Sequence, residues 1–254
     1  MSESTTPNPY AAPTSNLQEV VSNQQAPSIA EALSRGYDFT LGGVIGDAWQ
    51  RVKGTKGIII GGFLIFYVIM FMVTGILGLL LGLLGIGTDG GMLSMFVSQI
   101  LVSVAGSAAT YPFLAGLNMV GIRRAADQPV TFNEVFNHFG RFVPLLITGL
   151  LMMVLVYVGL LLFVLPGIYL SVAYMLAIPL VVERGLSPWE ALETSRKAIT
   201  QHWFKVFFLF LVLGLILAVS IIPLGIGLIW ALPLFIIAIG VLYRTIFGVL
   251  PVAN

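Results

Sequence analysis

Residues 57–87 form an uncharged stretch of 31 residues. As one helix this stretch would be roughly 46 Å long, whereas the hydrocarbon core of a bilayer is about 30 Å thick. A second long uncharged stretch follows at 92–122. Hydrophobic residues make up 58% of the chain and charged residues only 9%, while soluble domains carry about 25% charge. The sequence therefore predicts an all-α integral membrane protein whose first hairpin extends past the outer membrane surface.

Four further apolar segments follow. A turn that contains Gly or Pro joins the two segments of each consecutive pair. The six predicted transmembrane helices form three hairpins and lie at about 57–87, 92–122, 142–165, 168–182, 204–222 and 226–243. Pro166–Gly167 is either the turn between two spans or the tip of a re-entrant hairpin. Residues 37–254 are thus predicted to form one six-span membrane domain.

A polar segment with helical periodicity precedes each hairpin. The predicted N-caps are Thr40, Thr131 and Ser187, and Glu134 and Glu190 complete two S/T-x-x-E capping boxes. Each segment then carries an apolar stripe with an aromatic residue. We expect three cytoplasmic amphipathic helices that lie on the membrane surface. The alternative is that these are connecting helices packed on their own bundle.

The first 36 residues are rich in Ser, Thr, Asn, Gln, Pro and Ala. Such a composition cannot bury enough apolar surface to order a chain. Residues 1–36 are therefore predicted to be a disordered cytoplasmic tail, with a weak helical turn at 29–33.

All 12 Lys and Arg residues fall on one side of the six predicted spans. Basic residues are concentrated in cytoplasmic loops of membrane proteins. We therefore expect a multi-pass membrane protein with both termini and the three surface helices in the cytoplasm.

The polar segment before the fifth span carries most of the chemistry. Its basic and tryptophan side chains form a predicted interface for anionic lipid headgroups or an acidic partner: Arg184, Arg196, Lys197, Lys205, Trp189 and Trp203. The alternative is that these basic residues only set the topology. Expected partners are membrane lipids, a second copy of the chain or another protein, with no nucleic acid.

Residues 165–207 read LPGIYLSVAYMLAIPLVVERGLSPWEALETSRKAITQHWFKVF, and residues 243–248 read YRTIFG. This combination resembles a group of bacterial multi-spanning membrane proteins of unknown function. The group includes YciC-like proteins and the membrane domain attached to some glycerophosphodiester phosphodiesterases. The resemblance implies the fold and a location in the bacterial inner membrane, and it carries no catalytic residues across.

The predicted spans contain no histidine and no acidic residue. Intramembrane hydrolases and proton- or ion-coupled transporters need such groups within the membrane. The sequence therefore predicts a non-catalytic lipid- or partner-binding scaffold without a cofactor or metal. The alternative is a passive small-solute channel or transporter.

Overall fold

The structure, a computed structural model, describes residues 26–87 and 91–251, and all their side chains except those of residues 104, 105 and 107–109. Every regular element in these ranges is helical. The helices are α1 (Ile29–Arg35), α2 (Leu41–Arg51), α3 (Lys56–Leu83), α4 (Gly91–Ala125), α5 (Phe142–Leu162), α6 (Val164–Ala173), α7 (Ala177–Glu183), α8 (Pro188–Thr200), α9 (Trp203–Ile221) and α10 (Leu228–Phe247).

Among the described residues, five helical segments are long and apolar enough to cross a membrane: Lys56–Leu83, Phe132–Leu162, Val164–Glu183, Trp203–Ile221 and Leu228–Phe247. The prediction of an all-α protein with several membrane-crossing helices is confirmed at this level. Residues 1–25 of the predicted tail and residues 88–90 of the predicted first turn lie outside the described residues.

The α3–α4 hairpin is the longest unit, with helices of 28 and 35 residues. The two helices pack closely near the start of α3, where the rings of Phe66 and Phe113 stack with centroids 3.9 Å apart. Beyond Met70, Leu81 is the only buried residue among the described residues of α3, and none of residues 91–103 of α4 is buried. The outer part of this hairpin therefore projects from the bundle as a two-helix arm.

Helix α10 is buried along most of its length and crosses α4 at two glycines. A Cβ atom on Gly121 would lie 2.3 Å from the Ile236 carbonyl oxygen, and one on Gly240 would lie 2.2 Å from the Gly121 oxygen. Small residues of this kind let helix backbones touch directly. This crossing is the centre of the bundle.

The start of α10 lies beside the start of α3. The Lys56 ammonium group is 4.7 Å from the centroid of the Trp230 ring. The predicted six-span layout puts these two residues on opposite faces of a hydrocarbon core about 30 Å thick. The contact does not fit that layout, because it requires α10 to run obliquely to the long α3–α4 arm.

The prediction of a second surface helix, beginning at Thr131, is wrong. The segment forms two short 3-10 turns, Phe132–Val135 and Phe139–Arg141. Thr131 makes no side-chain cap, and the Glu134 carboxylate is buried, 2.5 Å from the Arg123 guanidinium and 3.0 Å from the His138 ring. Because the carboxylate pairs with α4 instead of capping the segment, the chain is held against α3 and α4 and does not form an exposed helix.

The second hairpin reverses one turn earlier than predicted. Phe163 is extended, with φ −156° and ψ 141°, and Pro166–Gly167 lies inside the first turns of α6. The predicted fourth span at 168–182 lies within the apolar segment Val164–Glu183, which a break at residues 174–176 divides between α6 and α7.

The predicted helical turn at 29–33 is present and longer than expected, because Ile29–Arg35 forms α1, so the predicted disorder of residues 1–36 does not extend to this part. Ala32 of this helix is buried, and the Arg35 guanidinium donates to the Ile246 carbonyl at 3.1 Å. The segment before the membrane domain is therefore attached to the end of α10.

The predicted start of the first surface helix is confirmed. The Gly43 N–H donates to the Thr40 hydroxyl at 3.1 Å, and α2 follows. Its apolar stripe, including Val44 and Ala48, is buried in the core cluster that contains α10, while Trp49 is 53% exposed. The stripe thus packs on protein, and only the tryptophan faces outward.

Candidate functional site

Helix α8 begins where the sequence predicts. The Glu190 carboxylate accepts hydrogen bonds from the N–H and the hydroxyl of Ser187, at 3.1 and 2.7 Å, which lower the pKa of Glu190 below its usual value. Pro188 is the first helical residue. The capping box predicted from S-x-x-E is therefore confirmed at this position.

The inner face of α8 packs on its own bundle. Leu192 and Ile199 are buried, and the helix contacts α5, α6 and α7. The buried Ser195 hydroxyl donates to the Ala173 carbonyl at 2.7 Å and accepts from the Leu176 N–H at 3.1 Å. This side chain thereby satisfies backbone groups that the break between α6 and α7 leaves free. The alternative of a connecting helix is correct for this face.

Arg184 does not belong to a surface patch. Its side chain is 8% exposed and 2.6 Å from the Glu183 carboxylate. The guanidinium also donates to the carbonyls of Pro27 (3.0 Å) and Phe247. The prediction that Arg184 contacts lipid is wrong, because this residue joins the N-terminal segment to the end of α10.

The remaining basic residues of the predicted patch are paired with carboxylates. Arg196 binds both oxygens of Glu193, at 2.9 and 2.7 Å, and Lys197 lies 3.4 Å from the same group. Lys205 lies 2.5 Å from Asp38. The hydrogen bonds from Arg196 and Lys205 lower the pKa values of Glu193 and Asp38, so both carboxylates stay charged near neutral pH. The patch therefore carries much less net positive charge than its basic residues suggest.

The two tryptophans occupy different environments. Trp189 is 59% exposed on α8. Trp203 is half-buried at the start of α9, where its indole N–H donates to the Tyr169 carbonyl at 3.2 Å and its ring stacks on Phe207 with centroids 5.1 Å apart. Of the six predicted residues, the structure brings only Trp203 and Lys205 together at one concave surface.

That surface is a groove of about 780 Å³ between α6 and the α8–α9 junction. Its apolar wall consists of Leu165, Ile168, Trp203, Phe204, Phe207 and Phe208, and its polar rim consists of Tyr169, Thr200, Gln201, His202 and Lys205. Phe204 is 71% exposed and Phe208 is 50% exposed. Large aromatic side chains are therefore left uncovered beside a row of hydrogen-bonding groups.

Sequence reasoning missed most of the apolar wall. The spacing of the four aromatic residues at 203, 204, 207 and 208 places them on adjoining faces of one helix turn, and this signal was available. The contribution of Leu165 and Ile168 depends on how α6 packs against α9, which no local pattern shows.

The chemistry of the groove suits an amphiphile. Pockets of roughly 300–1,000 Å³ with mostly apolar walls and a few polar groups are typical of small-molecule sites. Within the described residues, no group of three His, Asp or Glu side chains could hold a metal ion. Comparison with protein-family models, curated protein sequences and solved structures finds no match.

Proposed function

We propose that this protein is a non-catalytic multi-pass protein of the bacterial inner membrane that binds phospholipid through the groove between α6 and α9. The observation that carries the proposal is the combination of exposed Phe204 and Phe208 with a polar rim at the end of α8. An acyl chain would lie along the aromatic wall, and the headgroup would meet the rim.

The energetics favour a lipid chain in this place. Each CH₂ group removed from water contributes about 0.8 kcal/mol, although a chain already in the bilayer gains mainly packing contacts. Selectivity must therefore come from the rim. The Lys205 ammonium group and the second amide proton of Gln201 can donate to headgroup oxygens, whereas the Thr200 hydroxyl already donates to the Arg196 carbonyl at 2.6 Å.

Charge contributes little to the binding of a phospholipid in this groove. The Lys205–Asp38 pair is exposed, and such pairs contribute about 0–1 kcal/mol, so a phosphate can replace Asp38 at low cost. We expect the groove to accept both zwitterionic and anionic phospholipids, with a weak preference for the anionic ones.

In the proposed membrane arrangement, the α3–α4 arm crosses completely and both termini lie in the cytoplasm. The one-sided distribution of basic residues supports this orientation. The contact between Lys56 and Trp230 supports a hairpin α9–α10 that enters from the cytoplasmic side and turns within the bilayer. Both hairpin types return the chain to the side from which it came, so the side of each terminus is unchanged.

The test is quenching of Trp203 by brominated phospholipid in a variant that keeps this tryptophan alone. Phe204→Ala and Phe208→Ala should together reduce quenching several-fold, because they remove the wall. The matched control is Leu211→Ala with Leu215→Ala, which removes exposed side chains from α9 outside the groove.

Equal quenching in the two double variants would show that Trp203 meets only bulk lipid, and the proposal would fail. Solute flux through reconstituted vesicles tests the alternative of a passive channel or transporter.

A further inference from the structure

A second cavity lies at the corner between α2 and α3 and shares no lining residue with the groove. Its volume is about 390 Å³, and it is lined by Trp49, Gln50, Val52, Lys53, Lys56 and Trp230. It thus brings two tryptophans and two lysines together at the point where the uncharged part of α3 begins.

The backbone of this corner is fixed from α4. The Arg124 guanidinium donates to the Arg51 carbonyl at 3.0 Å and to the Lys53 carbonyl at 2.8 Å. The Thr55 hydroxyl donates to the Val52 carbonyl at 2.9 Å. The loop between α2 and α3 is therefore held in a fixed conformation. Lys53 in this loop and Lys56 at the start of α3 both line the cavity.

The lysines of this corner differ from the basic residues of α8 in having no acidic partner. Among the described residues, no carboxylate oxygen lies within 4 Å of the ammonium group of Lys53 or Lys56. The nearby acids Asp47 and Asp127 are instead paired with Arg51 and, for Asp47, also with Arg244. Two positive charges are thus left uncompensated at the cavity.

We propose that Lys53, Lys56, Trp49 and Trp230 form a binding site for the headgroup phosphate of an anionic phospholipid. Ammonium groups bind phosphate through charge-assisted hydrogen bonds. Tryptophans concentrate at the headgroup level of membranes, where the indole ring is partly apolar and partly hydrated. Since α3 enters its apolar stretch directly after Lys56, the cavity lies at that level, which favours a lipid over a free anion.

The proposal of this site depends on the membrane location proposed above, but it does not depend on lipid binding in the groove at α9. The two can be tested separately because different tryptophans report on them. Replacing Trp189 and Trp203 with Phe leaves only Trp49 and Trp230, which both line the cavity.

The experiment measures quenching of these two tryptophans in nanodiscs by brominated phosphatidylglycerol and by brominated phosphatidylcholine. Each basic residue near a membrane surface contributes about 1 kcal/mol toward anionic lipid, so the pair predicts a roughly 30-fold preference for phosphatidylglycerol. Lys53→Gln with Lys56→Gln should abolish most of this preference, and replacement of both by Arg should retain it.

The matched control is Lys197→Gln with Lys205→Gln, which removes the same charge from residues that have carboxylate partners. This control should keep the preference at Trp49 and Trp230. An equal loss in both double variants, or no loss in either, would overturn the proposal. Displacement of brominated phosphatidylglycerol by inorganic phosphate, but not by chloride at matched ionic strength, would assign the site to a free anion instead.

Discussion

The contact between α4 and α10 predicts a large effect from the smallest possible substitution. Gly121→Ala adds one methyl group, which would lie 2.3 Å from the Ile236 carbonyl oxygen. Favourable contacts between non-bonded heavy atoms lie at about 3.5–4.0 Å. The obstacle is a helix backbone and not the end of a flexible side chain, so the two helices must move apart.

Overpacking of this kind costs about 1–3 kcal/mol, and we expect the upper end because backbone cannot turn aside. Gly214→Ala on α9 is the matched control, since no atom lies within 4 Å of its added Cβ. Replacing a helical glycine with alanine in open space stabilises by about 0.5–1 kcal/mol. This gain applies to both variants, because both glycines lie in helices, so the two variants should differ by the overpacking cost of about 3 kcal/mol.

The assay is thermal unfolding of purified protein in mild detergent at one scan rate, followed by tryptophan fluorescence. A change of 1 kcal/mol shifts the Tm by about 2–4 °C for a domain of this size. The expected difference between Gly121→Ala and Gly214→Ala is then roughly 6–12 °C. Gly240→Ala should resemble Gly121→Ala, and the double variant should lose less than the sum, because one separation relieves both contacts.

A Tm for Gly121→Ala equal to or above that of Gly214→Ala would refute the reasoning. It would mean that the α4–α10 crossing has enough space for a methyl group, and that the close backbone contact is not what holds α10 in place.

Two further predictions concern the membrane arrangement and the buried carboxylate. Reporter fusions at Gly90 and Asn254 should lie on opposite sides of the membrane. In the cysteine-free chain, a cysteine at Leu84 should react with an impermeant reagent from outside, whereas one at Leu224 should be protected if α9–α10 turns within the bilayer as we propose. Glu134→Gln should lower the free energy of unfolding by about 3 kcal/mol, the lower end for breaking a buried ion pair.

Each of these predictions has a result that would contradict it. Fusions that report one side would reject the orientation, and equal labelling of Leu84 and Leu224 would favour six full crossings. Glu193→Gln is the control for Glu134→Gln, since the exposed pairs on α8 should contribute less than about 1 kcal/mol. A similar loss from both substitutions would show that burial of Glu134 adds nothing.

The two capping boxes show what a local pattern can and cannot predict. At Ser187 the next residue is Pro188, and no basic residue of the described ranges pairs with Glu190, so the box forms and α8 follows. At Thr131 the same spacing fails because Glu134 meets Arg123 of α4. A pattern of four residues contains no information about a guanidinium supplied by another helix.

Apolar length predicts the long helices well and their junctions poorly. The predicted spans at 57–87 and 204–222 agree closely with α3 and α9, because an uncharged stretch has few other ways to satisfy its backbone in lipid. The break at 174–176 was not predictable from length, since it depends on Ser195 from α8 to satisfy the freed backbone groups.

Charge pairing is the reason why we propose a site for anionic lipid at the α2–α3 corner and not at the basic residues of α8. The chain has 12 basic and 11 acidic residues, so pairing is the expected state of a basic side chain, and one without a partner is informative. Lys205 finds Asp38 across 167 positions of sequence, a contact that no spacing rule reveals. Lys53 and Lys56 look in sequence like ordinary topology determinants. Only the fold shows that the neighbouring acids are used by Arg51 and Arg244, which leaves these two lysines free to meet a phosphate.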